Sequence, residues 1–150
     1  MSLREEKKAA TRRAISEAAA ALLLEEGAAA ATVARVSERA GVSARTFHNY
    51  FADIDEALEE FLRKVFATIA EQIAALPGEL SAAEVIEAII IDALNEDGFE
   101  LYSASTLVLI GDRARAESAA PPTEETMREF ASPLVEAIRS RTPGASAFDA

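Results

Sequence analysis

Apolar residues recur at helical spacing along almost the whole chain, and no stretch alternates as a strand would. Ile15, Ala18, Ala19, Leu22 and Leu23 form one stripe, with Gly27 as a stop, which predicts a helix over residues 4–26. A short helix is predicted over residues 33–40 and another over 43–51. Leu58, Phe61, Leu62, Val65, Phe66, Ile69 and Ile73 then make a wide stripe on one long helix, capped by Asp53 and ended by Pro77-Gly78. Ser81-Ala82-Ala83-Glu84 is a capping box. It opens a helix whose Val85, Ile86, Ile89, Ile90 and Leu94 should be buried, and Asp97-Gly98 ends it. A further helix is predicted over residues 99–116, broken by Pro121-Pro122. Thr123 caps the last one, which carries Met127, Phe130, Leu134, Val135 and Ile138; Pro133 should kink or split it before Thr142-Pro143-Gly144. The expected class is therefore all-α.

The two short helices carry the most specific pattern. Thr32 is a good N-cap, Gly41 can take φ > 0 past the helix end, Val42 tucks inward and Ser43 caps the next helix. Val36, Ala40, Val42 and Phe47 point at a shared core. On a helical wheel Phe47 and Phe51 fall on one side of residues 43–51. Arg45, His48 and Asn49 fall on the other, flanked by Thr46 and Tyr50. Guanidinium, imidazole, carboxamide, hydroxyl and phenol are the groups that touch phosphates and base edges in DNA. Two helices joined by a tight glycine turn, the second with such a face, make a helix-turn-helix whose second helix enters the major groove.

Each of these side chains has a role in that reading. Arg45 is the first candidate for base contact, because arginine pairs bidentately with guanine. Ser43, Thr46, His48, Asn49 and Tyr50 divide between base edges and phosphates, with a core position open for Tyr50. The free N–H groups at Thr32 suit a phosphate, and Arg35, one turn on, can reach the backbone or stay a surface arginine. Upstream, Arg4, Lys7, Lys8, Arg12 and Arg13 form a basic start to the first helix that suits the phosphate backbone, with Arg12 or Arg13 the favoured contact.

Charge changes this picture in a useful way. The net charge of −11 is wrong for a DNA binder taken whole. Residues 1–50, however, carry eight Lys/Arg against six Asp/Glu, a net of +2, while residues 51–150 carry seven against 20, a net of −13. A mildly basic head is thus joined to an acidic body that repels DNA and leaves docking to one end. The absence of cysteine excludes disulfides and thiolate metal sites and fits a reducing compartment. No signal peptide or membrane-crossing run is present in the sequence.

Thr32-Val33 through Phe51, with Ala40-Gly41-Val42-Ser43 and Thr46-Phe47-His48-Asn49-Tyr50-Phe51, resembles the DNA-binding domain of the TetR family of transcriptional regulators. Thr11 to Ile15, Gly27 and Glu56-Ala57-Leu58 fit the same pattern. The resemblance implies a three-helix DNA-binding domain over residues 1–52. It also implies a long connecting helix and a helical ligand-binding and dimerisation domain over residues 53–150, short of the usual last two helices. Ala28 stands where an aromatic commonly follows the glycine, Ser37 where alanine is common, and Ile54 where lysine is common; the last change removes a phosphate-facing charge.

The function this implies is a cytoplasmic, homodimeric, ligand-responsive regulator, a repressor released from a double-stranded DNA operator by a small molecule. Phe61, Val65, Ile90, Tyr102, Met127, Phe130 and Leu134 are the candidates to line the effector pocket, and ordinary core packing is the competing account of each. The other reading is an acidic all-helical interaction module that keeps a helix-turn-helix shape without operator binding. No enzyme is expected: the single histidine sits on the reading helix, and there is no cysteine, phosphate loop or metal cluster. No cofactor, metal or membrane partner is expected.

Overall fold

The computed structural model describes residues 2–95, 101–116 and 123–141, with side chains at 92–95 and 114–116 left aside. All regular structure among them is helical: α1 (Leu3–Glu26), a single 3₁₀ turn (Ala28–Ala30), α2 (Val33–Arg39), α3 (Ala44–His48), α4 (Ile54–Ala75), α5 (Ala82–Asn95), α6 (Ala104–Ala116) and α7 (Glu124–Arg139). None of these helices is long and apolar enough to cross a membrane.

Local chemistry sets most of the boundaries. The Thr32, Ser43 and Thr123 side chains each accept from the backbone N–H three residues on, meeting one of the donors that every helix start leaves unpaired. Ser81 and Glu84 close the expected capping box: the Ser81 N–H donates to the Glu84 carboxylate at 2.8 Å. At the start of α4 the Glu56 N–H donates to Asp53 at 2.9 Å, and Glu56 reaches back to accept from the Ala52 N–H at 2.6 Å. Gly41 sits at φ 69°, the left-handed turn that joins α2 to α3.

Several boundaries differ from the sequence expectation. α3 is five residues, not nine; Asn49 is its C-cap, and Phe51 N–H still bonds the Phe47 carbonyl at 3.0 Å. α6 begins at Ala104, five residues later than expected, where the Ser103 hydroxyl accepts from the Thr106 N–H at 3.4 Å. α7 runs unbroken through Pro133. Asp97-Gly98, Pro121-Pro122 and Thr142-Pro143-Gly144, read as helix ends, lie outside the described residues.

The chain divides into two compact units, residues 1–62 with 108–121, and residues 63–107 with 122–150. The core of the first is Ile15, Ala18, Ala19, Leu22, Ala31, Val36, Phe47, Phe51 and Ala57, with Val33, Ala40, Val42, Tyr50, Ile54 and Leu58 packed around it. In the second, Val65, Phe66, Ile69, Ile73, Val85 and Phe130 are buried, and the Phe66 and Phe130 rings lie 6.4 Å apart. Its α7 end is held by Arg141, whose guanidinium donates to the carbonyl of Ala74 in the last turn of α4 and to those of Leu76 and Pro77 just beyond it. The α5 stripe is narrower than its sequence suggests. Val85 is buried, whereas Ile86 and Ile90 are about half exposed, because each stands roughly 100° or more around the helix from the line that meets the core.

Ser37 is the one position in the first core where chemistry and environment conflict. It is 4% exposed, and its hydroxyl has no hydrogen-bond partner among the described residues. A buried hydroxyl left unpaired costs about 1–3 kcal/mol. Ser37→Ala is therefore expected to stabilise the first unit by about 1 kcal/mol, read as a raised midpoint in urea unfolding at unchanged slope. A lowered midpoint would show that the hydroxyl has a bonded partner in solution.

Candidate nucleic-acid interface

The reading face starts from Phe47. Its ring is fully buried, meets the His48 ring edge-on at 5.3 Å and lies 6.1 Å from Phe51. Burying that ring fixes the rotation of α3. Arg45, His48 and Asn49 are thereby left exposed, with Thr46 and Tyr50 half-buried. The Arg45 guanidinium has no partner among the described residues. Ser43 and Thr46 are less free: their hydroxyls hydrogen-bond each other at 2.9 Å, and Ser43 also caps the Thr46 N–H at 3.0 Å. Tyr50 packs its ring against the core. Thr32 caps α2 by accepting from the Arg35 N–H at 3.4 Å.

The cations do not all point outward. The Arg12 guanidinium lies 4.5 Å over the Phe51 ring, donates to the Tyr50 carbonyl at 3.1 Å and pairs with Glu60 of α4 at 3.3 Å. One side chain thus joins α1, the exit of α3 and α4. Arg12 precedes buried Ile15 and Ser16 by three and four positions, so it rides on the inward face of α1. Arg13 pairs with Glu17 at 2.7 Å, one turn along the same helix. Arg35 makes a two-pronged pair with Glu26, at 2.7 and 2.9 Å, and Arg39 does the same with Glu25, at 2.6 and 2.7 Å.

Glu26, Arg35 and Arg39 line a shallow cleft with Leu22 and Glu38, about 250 Å³ in volume. The arginine hydrogen bonds hold the Glu25 and Glu26 carboxyls below their ordinary range. A lowered carboxyl pKa stabilises above the unfolded-state value and loses that effect as pH falls through the folded value, so both carboxyls are ionised at neutral pH. Of the eight cations in residues 1–50, Arg4, Lys7, Lys8 and Arg45 are those without a partner among the described residues.

Ile54 is half-buried against the first core. The position that lost a lysine thus contributes packing instead. Of the seven pocket candidates, Phe61 belongs to the first unit and the other six to the second. Phe61, Val65 and Phe130 are buried, Tyr102 and Leu134 half-buried, and Ile90 and Met127 exposed. Arg63 stands 5.4 Å over the Phe130 ring.

No curated protein matches the chain. Residues 15–61 match the model of a family described as bacterial regulatory proteins, tetR family; the stretch takes in the whole of α2 and α3 and the first turns of α4.

Proposed function

We propose, from the premise that this chain carries the DNA-binding domain of the bacterial tetR family and is a helix-turn-helix regulator, that it is a ligand-responsive repressor. It binds a palindromic operator as a homodimer and leaves it when a small molecule binds. The observation that supports this best is the exposed Arg45, His48 and Asn49 row standing on the buried Phe47 and Phe51. Arg45 and Asn49 read base edges; Thr32, Ser43, Thr46, His48 and Tyr50 hold phosphate and groove edge around them. Arg35 joins them only by exchanging Glu26 for a phosphate. The functional division falls at residues 52 and 53. The effector sits in the second unit, among Val65, Tyr102, Phe130 and Leu134, and its signal runs along α4, which carries both Glu60 and Val65.

A salt titration tests the DNA-binding part. With four unpaired cations per head and about 0.9 of log–log slope per phosphate neutralised, affinity for an operator selected from a random duplex pool should fall with a slope of about −4 or shallower per head. Absence of duplex binding down to low salt would instead favour an acidic interaction module. The effector part is tested by screening small molecules for release of that operator.

A further inference from the structure

Glu25 and Glu26 occupy the last turn of α1, which carries no basic residue. Carboxylates there oppose the helix dipole, whose C-terminal end is negative. Their partners Arg35 and Arg39 lie one turn apart on the same face of α2, and both stay exposed, at 45% and 39%. Ion pairs this open add little to stability. Holding the fold together is thus a weak reason for two adjacent glutamates at the wrong end of a helix.

The pairing has a clearer consequence for charge. α2 is the first helix of the helix-turn-helix, the one that crosses the DNA backbone, and Arg35 and Arg39 are its two cations. Each guanidinium presents its paired N–H groups to a carboxylate in the same fork that would grip a phosphate. We infer that Glu25 and Glu26 set the selectivity of DNA binding by withholding Arg39 and Arg35 from the phosphate backbone. A phosphate can take either arginine only by displacing a carboxylate that already satisfies it, so contact with arbitrary duplex gains little. Discrimination then falls to Arg45 and Asn49, which have no such competitor among the described residues. This inference rests on the DNA-binding reading above.

Glu25→Gln with Glu26→Gln tests it, since glutamine keeps the size and removes the charge. The probe is a 30-base-pair mixed-sequence duplex, followed by fluorescence anisotropy across a salt series. The freed arginines should steepen the log–log slope by up to about 1.8, at about 0.9 per phosphate. Binding at low salt should tighten by about tenfold, and preference for a selected operator over the mixed duplex should narrow. Adding Arg35→Ala and Arg39→Ala to the same chain should return the slope to its starting value. Circular dichroism should show all three proteins equally helical. Equal slopes for the parent and the double glutamine variant, both binding, would overturn this inference alone. Failure of both proteins to bind at any salt would overturn it together with the DNA-binding reading.

Discussion

Phe47→Ala is expected to unfold the reading head near physiological temperature. The ring is fully buried in the cluster formed by Ile15, Ala18, Ala19, Leu22, Ala31, Val36, Phe51 and Ala57. Half of that cluster is alanine, so little side-chain volume is available to collapse into a vacated space. A buried phenylalanine cut to alanine costs about 3–5 kcal/mol. Whole domains have only about 5–15 kcal/mol of stability, and a head of this size lies toward the lower end. At roughly 4–8 °C per kcal/mol for a small domain, the thermal midpoint of the head should fall by at least about 12 °C, measured by circular dichroism. Phe47→Leu, which fills most of the space, should lose well under half of that. A loss below about 1 kcal/mol for the alanine variant would mean that Phe47 does not anchor α3, and the orientation of Arg45 and Asn49 would lose its physical basis.

What the sequence made legible in this head is what is decided within a few residues. Thr32, Ser43 and Asp53 could be named as caps because a cap needs only its own side chain and an amide three positions on. Gly41 could be placed because a tight turn demands a residue at ease with positive φ. Phe47 and Phe51 could be set inward because four residues make about one turn. The contacts that were missed join distant positions: Arg35 to Glu26 across nine residues, Arg39 to Glu25 across 14, Arg12 to Glu60 across 48. Nothing local distinguishes an arginine bound for phosphate from one bound for glutamate. The difference lies in which helix ends the fold brings together.

The body is less legible for a related reason. Helical periodicity shows which residues share a side of α5, yet how much of that side is covered depends on the neighbours. Val85 is buried while Ile86, the next residue, is about half exposed. Apolar Leu101 and Tyr102 extend the helical pattern upstream of α6, although the cap that opens the helix is Ser103.

Arg45→Ala is expected to weaken binding to a selected operator by about 1–3 kcal/mol, on the order of five- to 150-fold, while leaving the fold untouched. The second half of that statement follows from exposure: the side chain lies outside the core and has no partner among the described residues, so its removal strands nothing. The first half follows from geometry. Arg45 is the only Lys/Arg on α3, and the helix that carries it has its rotation fixed by Phe47. A guanidinium held there can present two parallel N–H groups to one guanine edge. Two comparisons separate reading from simple charge. Arg45→Lys keeps the charge but loses the fork, and should recover only part of the affinity and little of the sequence preference. Lys7→Ala, at the basic start of α1, should weaken all duplexes alike and reduce the salt slope by about 1. The measurement is anisotropy against the operator and a set of single-base-pair variants. If Arg45→Ala weakens every variant by the same factor, the residue is a phosphate contact. If it weakens none, α3 does not lie in the groove.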